Sequence, residues 1–351
     1  MAPMTTWASN TDGTVSDEEI AYYRRRAKDV GLVITGCTHV HENGVGFTGE
    51  FAAHDDYFIP SLKSLAAAAK SGGAPAILQI FHAGVKTRPD LVPEIVAASA
   101  VTGDAGPFAP AITPRALDEA EIIDVIRAFG ETTRRATDAG FDGVELHGAH
   151  GFLLQNFLSP HFNIRQDRWG GSLDGRMRFP IAVVQEVNRV IEEHADRPFV
   201  LGYRISLEES HEDGLRLTES LQLVDKLVET GITYLHASLH NALEDRPIGD
   251  SEGRTLVEIV SAHLGARIPM IAAGQVRTPK DAELAIAAGL SLVGVGQGLV
   301  MNPDWLLLAG TEQEEHISLD IAASDVSRIA IPPKLWKEIE KTAGWFNVRA
   351  S

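Results

Sequence analysis

Short runs of aliphatic and β-branched residues alternate with helix-like segments along almost the whole of this 351-residue chain. The runs predicted to be strands cover residues 31–34, 76–80, 143–146, 199–205, 234–239, 269–272 and 292–295. Sustained alternation of strand and helix predicts a parallel sheet covered by helices. Closing a barrel takes one strand more than these seven, and residues 1–6 could form the inner half of a first strand.

Helix signals separate the predicted strands. Ser16 and Glu19 form a capping box that predicts a helix up to Asp29, with Gly31 as its stop. Further helical periodicity covers residues 117–139, 174–195, 218–229, 255–264 and 279–288. Residues 151–171 lack either period, which predicts a long ordered loop that enters a helix near Ser172.

A glycine-rich motif after the first strand would distinguish an open, doubly wound sheet from a barrel. A doubly wound sheet that binds a dinucleotide carries GxGxxG after its first strand, and this chain has no such motif there. No linker rich in proline or serine interrupts the alternation. We therefore predict one domain, a (β/α)8 TIM barrel over residues 1–351, with a first strand cut short at the N-terminus and a C-terminal helix and tail over about residues 318–351.

Charge and cysteine content exclude several functions. The chain has 31 Lys and Arg against 48 Asp and Glu, a net charge of −17, which disfavours nucleic acid and anionic membranes as partners. Its single cysteine, Cys37, rules out an internal disulfide and a cysteine-based metal cluster. No signal peptide or long apolar stretch is present, so we expect a cytoplasmic protein.

Two glycine-containing loops follow the last two predicted strands. They contain Gly274 and, in the next loop, Gly296, Gln297 and Gly298. The loops at the ends of these strands commonly bind phosphate in barrels, because amides and a helix N-terminus face the ligand there. A phosphate site is favoured over the alternative that these glycines only form turns.

Arg204 ends the fifth predicted strand within apolar sequence. A buried cation must be paired or must face the barrel mouth. It either forms a structural ion pair with Glu145 or Glu208, or neutralises an anion that develops on a bound ring system.

His147 and His150 follow the fourth predicted strand. Three interpretations remain open: a metal site completed by a third histidine, two structural histidines, or a pair of donors to one substrate oxygen. No known metal-binding spacing surrounds them, so we predict no metal site.

The block that begins at these histidines resembles a known signature. The motifs are HGAHGFLL at 147–154, FLSP at 157–160, Asn163, Arg165, Asp167, WGGS at 169–172 and RMRF at 176–179. Together they resemble the Old Yellow Enzyme family of FMN-dependent NAD(P)H oxidoreductases, and the resemblance extends over most of the chain.

The resemblance implies a role for particular residues. Residues expected to contact FMN are Ala2, Pro3, Met4, Thr5, Cys37, Gln79, Arg204, Gly274, Gly296 and Gln297. Thr5 and Arg204 would stabilise the reduced flavin, and His147 and His150 would hold the substrate carbonyl oxygen. Trp7 and Phe152 would line the substrate pocket.

Two departures from the family pattern affect the expected chemistry. Phe152 stands where the family usually has a tyrosine proton donor, and phenylalanine has no proton to give. Gln297 replaces an arginine that ordinarily meets the FMN phosphate, so Arg277 and loop amides would supply that contact.

The resemblance implies an enzyme in which NAD(P)H reduces FMN and the reduced flavin passes hydride to an activated acceptor, namely an enone, a quinone or a nitro compound. The alternative is a flavin-binding protein of low turnover with a sensing or binding role. The expected partners are NADH or NADPH and a small-molecule acceptor, and the sequence leaves open whether the chain forms a homo-oligomer.

Overall fold

The computed structural model describes residues 1–249 and 253–349. Its strands in chain order are β1 (Val33–Ile34), β2 (Thr38–His39), β3 (Ala76–Phe81), β4 (Val96–Ala97), β5 (Arg115–Ala116), β6 (Gly143–Gly148), β7 (Val200–Ile205), β8 (Tyr234–Ser238), β9 (Met270–Ala273), β10 (Leu292–Gly294), β11 (Ile321–Ala322) and β12 (Val348–Arg349). Its helices are α1 (Asp17–Arg26), α2 (Ile59–Ala69), α3 (Glu119–Asp138), α4 (Leu153–Leu158), α5 (Leu173–His194), α6 (Leu217–Thr230), α7 (Leu256–Leu264), α8 (Pro279–Ala287), α9 (Gln297–Met301), α10 (Trp305–Gly310) and α11 (Pro333–Lys341).

Within the described residues, eight strands form one parallel sheet. Its order is β1-β3-β6-β7-β8-β9-β10, and β2 also pairs with β3. Strands that follow one another along the sheet are joined by helices on its outside, as the alternation predicts. Among the described helices, none combines the length and the apolar character needed to cross a bilayer.

The N-terminal residues lie between the first and the last strand of this sheet. The amide of Ile34 donates to the carbonyl of Met1 at 3.1 Å, and the amide of Ala2 donates to the carbonyl of Val295 at 3.0 Å. Residues 1–6 are not a regular strand, yet these two bonds link both edges of the sheet through the chain terminus. The predicted eighth element therefore contributes a short bridging segment.

Most element boundaries lie close to those predicted, and local caps explain the differences. The Ser16–Glu19 capping box is present, and α1 ends at Arg26 with Ala27 as its C-cap; Asp29, further on, has a positive φ of 62° that a helix cannot include. Helix α3 begins at Glu119, since Asp118 caps it and forms a second capping box with Glu121. The loop after β6 contains a short helix, α4, that its sequence did not indicate, and α5 begins where predicted, with Ser172 as its cap.

The sheet changes from apolar to polar along the strands. Near the amino ends, Ile34, Ile77, Tyr234 and Ile271 form a separate buried apolar cluster. Because side chains two residues apart share a face of a strand, Ile77 is followed on its face by Gln79. In the same way, Tyr234 is followed by His236 and then by Ser238. The next layer towards the carboxyl ends is consequently polar, and it forms the floor of the site.

Candidate active site

A cavity of about 380 Å³ lies at the carboxyl ends of the strands, within the range of small-molecule sites. It is lined by ten predicted site residues: Pro3, Met4, Thr5, Trp7, Cys37, Gln79, His147, His150, Phe152 and Arg204. A neighbouring cavity of about 240 Å³ is lined by the other four, Ala2, Gly274, Gly296 and Gln297. Pro3, Met4, His150 and Arg204 line both cavities, so the structure brings all the predicted site residues to one cleft.

Glu145 organises the polar floor of the cleft. Its carboxylate accepts from Gln79 Nε2 at 2.7 Å and from the Tyr234 hydroxyl at 2.8 Å, and it lies 2.9 Å from Nδ1 of His236. The side chains of Glu145 and His236 are fully buried. Burial alone would raise the pKa of Glu145, but His236, Arg204 and Gln79 outweigh it and hold the pKa below its usual value.

Arg204 is buried close to this carboxylate. Its Nη2 donates to the Ser238 hydroxyl at 2.9 Å, and its Nε has no hydrogen-bond partner among the described residues. Glu208, the other candidate partner, instead accepts from the amides of Leu217 and Ile248. Of the two candidate acidic partners, Glu145 is therefore the one whose charge favours the guanidinium, which also lines the cleft. The role of Arg204 towards a bound ring stays a prediction.

Ser238 also binds His150, and sequence reasoning missed it. Its Oγ lies 2.6 Å from His150 Nε2. A hydroxyl that accepts from Arg204 can donate to this nitrogen, which leaves the proton of the neutral ring on Nδ1. Arg204 pairs with His236 on the neighbouring strand, and Ser238 follows His236 by two residues, so it shares the inner face. The period of two along β8 could therefore have predicted Ser238 as a site residue.

The two histidines are packed edge to face, with ring centroids 4.9 Å apart. Desolvation inside the cleft lowers the pKa of His147 well below its usual value. Together with the charge of Arg204 it also lowers the pKa of His150, which still exposes part of its surface to solvent, so both rings are neutral at pH 7. His147 Nδ1 accepts from the Ala149 amide at 3.3 Å, which leaves the proton on Nε2. His150 has a positive φ of 61°, an uncommon conformation for this residue that often marks functional sites.

Thr5 and Cys37, which also line the cavity, are in contact with each other. The Thr5 hydroxyl lies 3.3 Å from the Cys37 Sγ. Burial raises the pKa of the Cys37 thiol far above its usual value, so it remains protonated. The sulfur packs in an apolar cluster with Phe81 and Phe152.

Aromatic rings enclose the outer part of the cavity, and the sequence pointed to only some of them. Trp7 lies 5.3 Å from Phe47, 5.3 Å from Phe108 and 5.4 Å from Trp345, measured between ring centroids. Phe152 lies 4.8 Å from His147 in an edge-to-face contact. Phe47, Phe108 and Trp345 come from loops without a periodic pattern. Lys86 also lines the cavity and carried no recognisable signal.

Gln297, a predicted phosphate-loop residue, lines the second cavity. Arg277 Nη2 donates to Gln297 Oε1 at 2.9 Å, and Gln297 Nε2 donates to the carbonyl of Trp345. Both ends of this amide are therefore engaged within the protein. Nε of Arg277 is buried without a hydrogen-bond partner among the described residues. Arg277 thus lines this cavity beside Gly274 and Gly296, and Arg204 is a second cationic side chain in its lining.

No group of three histidine, cysteine, aspartate or glutamate side chains in the described part of the chain is arranged to hold a metal ion.

Comparison with known proteins agrees with the geometry. The model of the NADH:flavin oxidoreductase / NADH oxidase family matches residues 1–315. A probable NADH-dependent flavin oxidoreductase of Bacillus subtilis is 42% identical over 347 residues, covering 98% of this chain and 92% of that protein. The NADH:fumarate oxidoreductase of Klebsiella pneumoniae is 39% identical over 96% of this chain, which spans only 36% of that protein's length.

Solved structures give the same fold. An Old Yellow Enzyme homologue from Zymomonas mobilis superposes with a TM-score of 0.78 at 22% identity, over 92% of this chain and 90% of that one, and confirms the predicted (β/α)8 barrel. Morphinone reductase superposes with a TM-score of 0.73 at 25% identity, over 89% and 85% of the two chains. The chain therefore belongs to the NADH:flavin oxidoreductase / NADH oxidase family and is an FMN-dependent enzyme of Old Yellow Enzyme type.

Proposed function

We propose that this enzyme passes reducing equivalents from NADH or NADPH to quinones, and to comparable acceptors that need no proton placed on carbon. The observation that carries this proposal is Phe152, which fills the acceptor side of the cavity with a ring that has no proton to donate. This proposal concerns only the class of acceptor, because the flavin and the nicotinamide reductant follow from the family.

The residues of the cleft fit FMN. Arg204 and Arg277 each have a buried Nε without a partner in the described chain, and both line the cleft. A buried donor without an acceptor is costly, so an acceptor atom on a ligand would relieve both sites. Arg277 with Gly274 and Gly296 would hold the phosphate, and Gln79, Thr5, Cys37 and residues 2–4 would surround the ring. FMN, when bound there, supplies the hydride chemistry that amino-acid side chains lack.

The chain's own groups bind and polarise the acceptor. His147 Nε2–H and His150 Nδ1–H are both available as neutral donors, and the two rings are in edge-to-face contact. Two such donors would hold one carbonyl oxygen and stabilise negative charge as it develops. The Arg204 guanidinium and the Thr5 hydroxyl would stabilise negative charge on the reduced cofactor.

The aromatic part of the cavity wall favours a flat ring. Trp7, Phe47, Phe108 and Trp345 are in mutual edge or tilted contact and line the cavity with apolar surface. Aromatic side chains stack well on planar ligands. A quinone presents a flat ring to this wall and a carbonyl oxygen to the histidines, and its reduced oxygens take protons from water.

The names of the relatives permit broader chemistry, since they include an NADH:acrylate oxidoreductase of Vibrio harveyi and an NADPH dehydrogenase of a Geobacillus strain. This chain spans only 34% of the acrylate enzyme. We therefore argue the acceptor from Phe152 and not from those names.

The test is steady-state oxidation of NADH and NADPH by the FMN-loaded enzyme with 1,4-benzoquinone and with cyclohex-2-enone. We expect the quinone to react with a kcat/KM at least about a hundredfold above that of the enone, the lower end of what a positioned general acid contributes. Equal rates would overturn the acceptor assignment. Negligible turnover of both, with FMN bound, would favour the alternative of a flavin-binding protein.

A further inference from the structure

Lys86 is a cationic side chain in the predominantly aromatic outer part of the cavity, and the proposed reaction does not use it. It lines the cavity together with Phe108, Phe152 and Trp345. Its partly buried side chain contrasts with most lysines, which extend into water. A cation in such surroundings needs a partner.

The position of Lys86 is fixed by its backbone. It ends a single 3-10 turn, Gly84–Lys86, whose Val85 amide donates to Asn156 Oδ1 at 3.0 Å. Its own amide donates to the Ala83 carbonyl at 3.1 Å. The side chain passes Gly151, where an added Cβ would lie 3.3 Å from Lys86 Cε. Gly151 separates His150 from Phe152 in the chain, so the lysine side chain lies against the turn between these residues, and all three side chains line the same cavity.

The ammonium group is only partly balanced by the protein. Nζ donates to the backbone carbonyl of Asp104 at 2.7 Å, and no carboxylate lies within salt-bridge distance of it in the described residues. The carboxylate of Asp104 instead lies 3.2 Å from His211 Nε2. Burial lowers the pKa of Lys86, and the charge of Asp104 opposes that shift. An anion bound in the cavity would favour the ammonium form.

We propose that Lys86 forms an anion subsite that binds a carboxylate carried by the same acceptor whose oxygen His147 and His150 hold. The inference rests on the proposed function only in treating this cavity as the acceptor site. It implies a planar acceptor with an acidic substituent, which the negatively charged chain would otherwise repel. The phosphates of the nicotinamide reductant are the other anions that could reach this lysine.

The test compares two ligands of nearly equal shape, 4-hydroxybenzoate and the uncharged 4-hydroxybenzamide. Their dissociation constants for the FMN-loaded enzyme are measured by quenching of tryptophan fluorescence, since Trp7 and Trp345 line the cavity. We expect the wild type to bind the benzoate roughly tenfold more tightly than the amide, or about 1.4 kcal/mol. Lys86→Met should abolish that preference and Lys86→Arg should retain most of it.

Lys63→Met provides the matched control, because it removes the same charge from an exposed position on α2. It should keep the wild-type preference. No preference in the wild type, or the same preference in Lys86→Met, would overturn the subsite. If Lys86→Met instead weakens NADH binding and leaves the ligand preference intact, the lysine serves the reductant and the acceptor assignment is wrong. Because ligand binding is measured without turnover, failure of quinone reduction would not affect this result.

Discussion

The side-chain amide of Gln79 donates to the carboxylate of Glu145 across 2.7 Å at the base of the cleft, where both residues are almost completely buried. The same carboxylate serves Tyr234 and His236 and balances the charge of Arg204. One acidic side chain therefore orients the residue expected to meet the flavin ring and also stabilises the cation beside it.

Replacing this carboxylate should destabilise the fold. In Glu145→Gln, the side-chain shape is kept but Arg204 loses its buried counter-charge, and one amide hydrogen faces groups that need an acceptor. We expect the free energy of unfolding at pH 7 to fall by about 3 kcal/mol, as when one partner of a buried ion pair is removed. Urea denaturation of the enzyme without cofactor measures it. Glu340→Gln, at an exposed position of α11, should change little. Equal stability of Glu145→Gln and wild type would contradict this role.

His39 and Glu50 form a second buried pair, with Nδ1 and Oε1 2.6 Å apart. Burial lowers the pKa of His39 to about 3 and raises the pKa of Glu50 well above its usual value, so both are neutral in the fold. Between pH 4.5 and 6.5, the unfolded chain holds a proton on His39 and the folded chain holds one on Glu50. The two states then bind the same number of protons at this pair, so the pair makes no contribution to the pH dependence of stability in that range. Above pH 6.5, only the fold holds a proton, so stability falls as the pH rises.

Glu50→Gln should remove this alkaline loss, because a neutral amide can still accept from the Gly46 and Phe47 amides and donate to His39. Above pH 6.5, we expect the unfolding free energy of the wild type to fall relative to that of the variant by up to about 1.4 kcal/mol per pH unit. Unfolding curves from pH 5 to 9 test it, with Glu192→Gln, an exposed position on α5, as the control. Parallel profiles for wild type and Glu50→Gln would show that the pair is not neutral.

Ser238 joins the acceptor side of the cleft to the cofactor side, since its hydroxyl contacts both His150 and Arg204. In Ser238→Ala, His150 loses the group that fixes its tautomer and Arg204 loses an acceptor. We expect a dissociation constant for 4-hydroxybenzamide roughly tenfold higher than in the wild type, the effect of one lost hydrogen bond. Ser238→Thr keeps the hydroxyl and should restore most of the binding. Failure of threonine to do so would point to a packing effect.

The sheet and the inner residues of the site follow from local rules. A period of two along β6, β7 and β8 places Glu145, Arg204 and His236 on the inner face, and the parallel arrangement brings their strand ends together. These relationships depend on neighbours in sequence and on hydrogen-bonded partners. They could therefore be predicted without coordinates.

The outer wall could not be predicted in this way. Phe108 and Trp345 lie in irregular segments more than 200 residues apart, and they meet with ring centroids 5.3 Å apart only because both segments fold over the same mouth. The contacts of the Gln297 side chain depend on the same packing, since the carbonyl that its amide nitrogen meets belongs to Trp345. Loop packing over long sequence distances leaves no periodic signal.

We expect Arg277 to carry phosphate affinity, because the side-chain amide of Gln297 is bound to other protein groups at both ends. We expect Arg277→Met to weaken FMN binding by roughly tenfold to a hundredfold, the range for a charge-assisted hydrogen bond. Riboflavin, which has no phosphate, should bind wild type and variant within about twofold of each other. Quenching of flavin fluorescence by the apoprotein measures both ligands. Arg127→Met, at an exposed position of α3, should keep the wild-type ratio. An equal loss for FMN and riboflavin would show that Arg277 does not recognise phosphate.

Phe152→Tyr tests the proposed acceptor class most directly. The ring of Phe152 lies edge to face against His147 at 4.8 Å and against Phe81 at 4.9 Å, so a tyrosine ring can occupy the same place. Its hydroxyl would add a proton donor next to the histidines that hold the acceptor. We expect the ratio of kcat/KM for cyclohex-2-enone to that for 1,4-benzoquinone to rise about a hundredfold, since a positioned general acid aids only the acceptor that needs a proton on carbon. Phe152→Leu removes the ring without adding a donor and should leave that ratio low. If leucine and tyrosine raise the ratio equally, the phenylalanine limits enone reduction by its bulk, and the argument from proton supply is wrong.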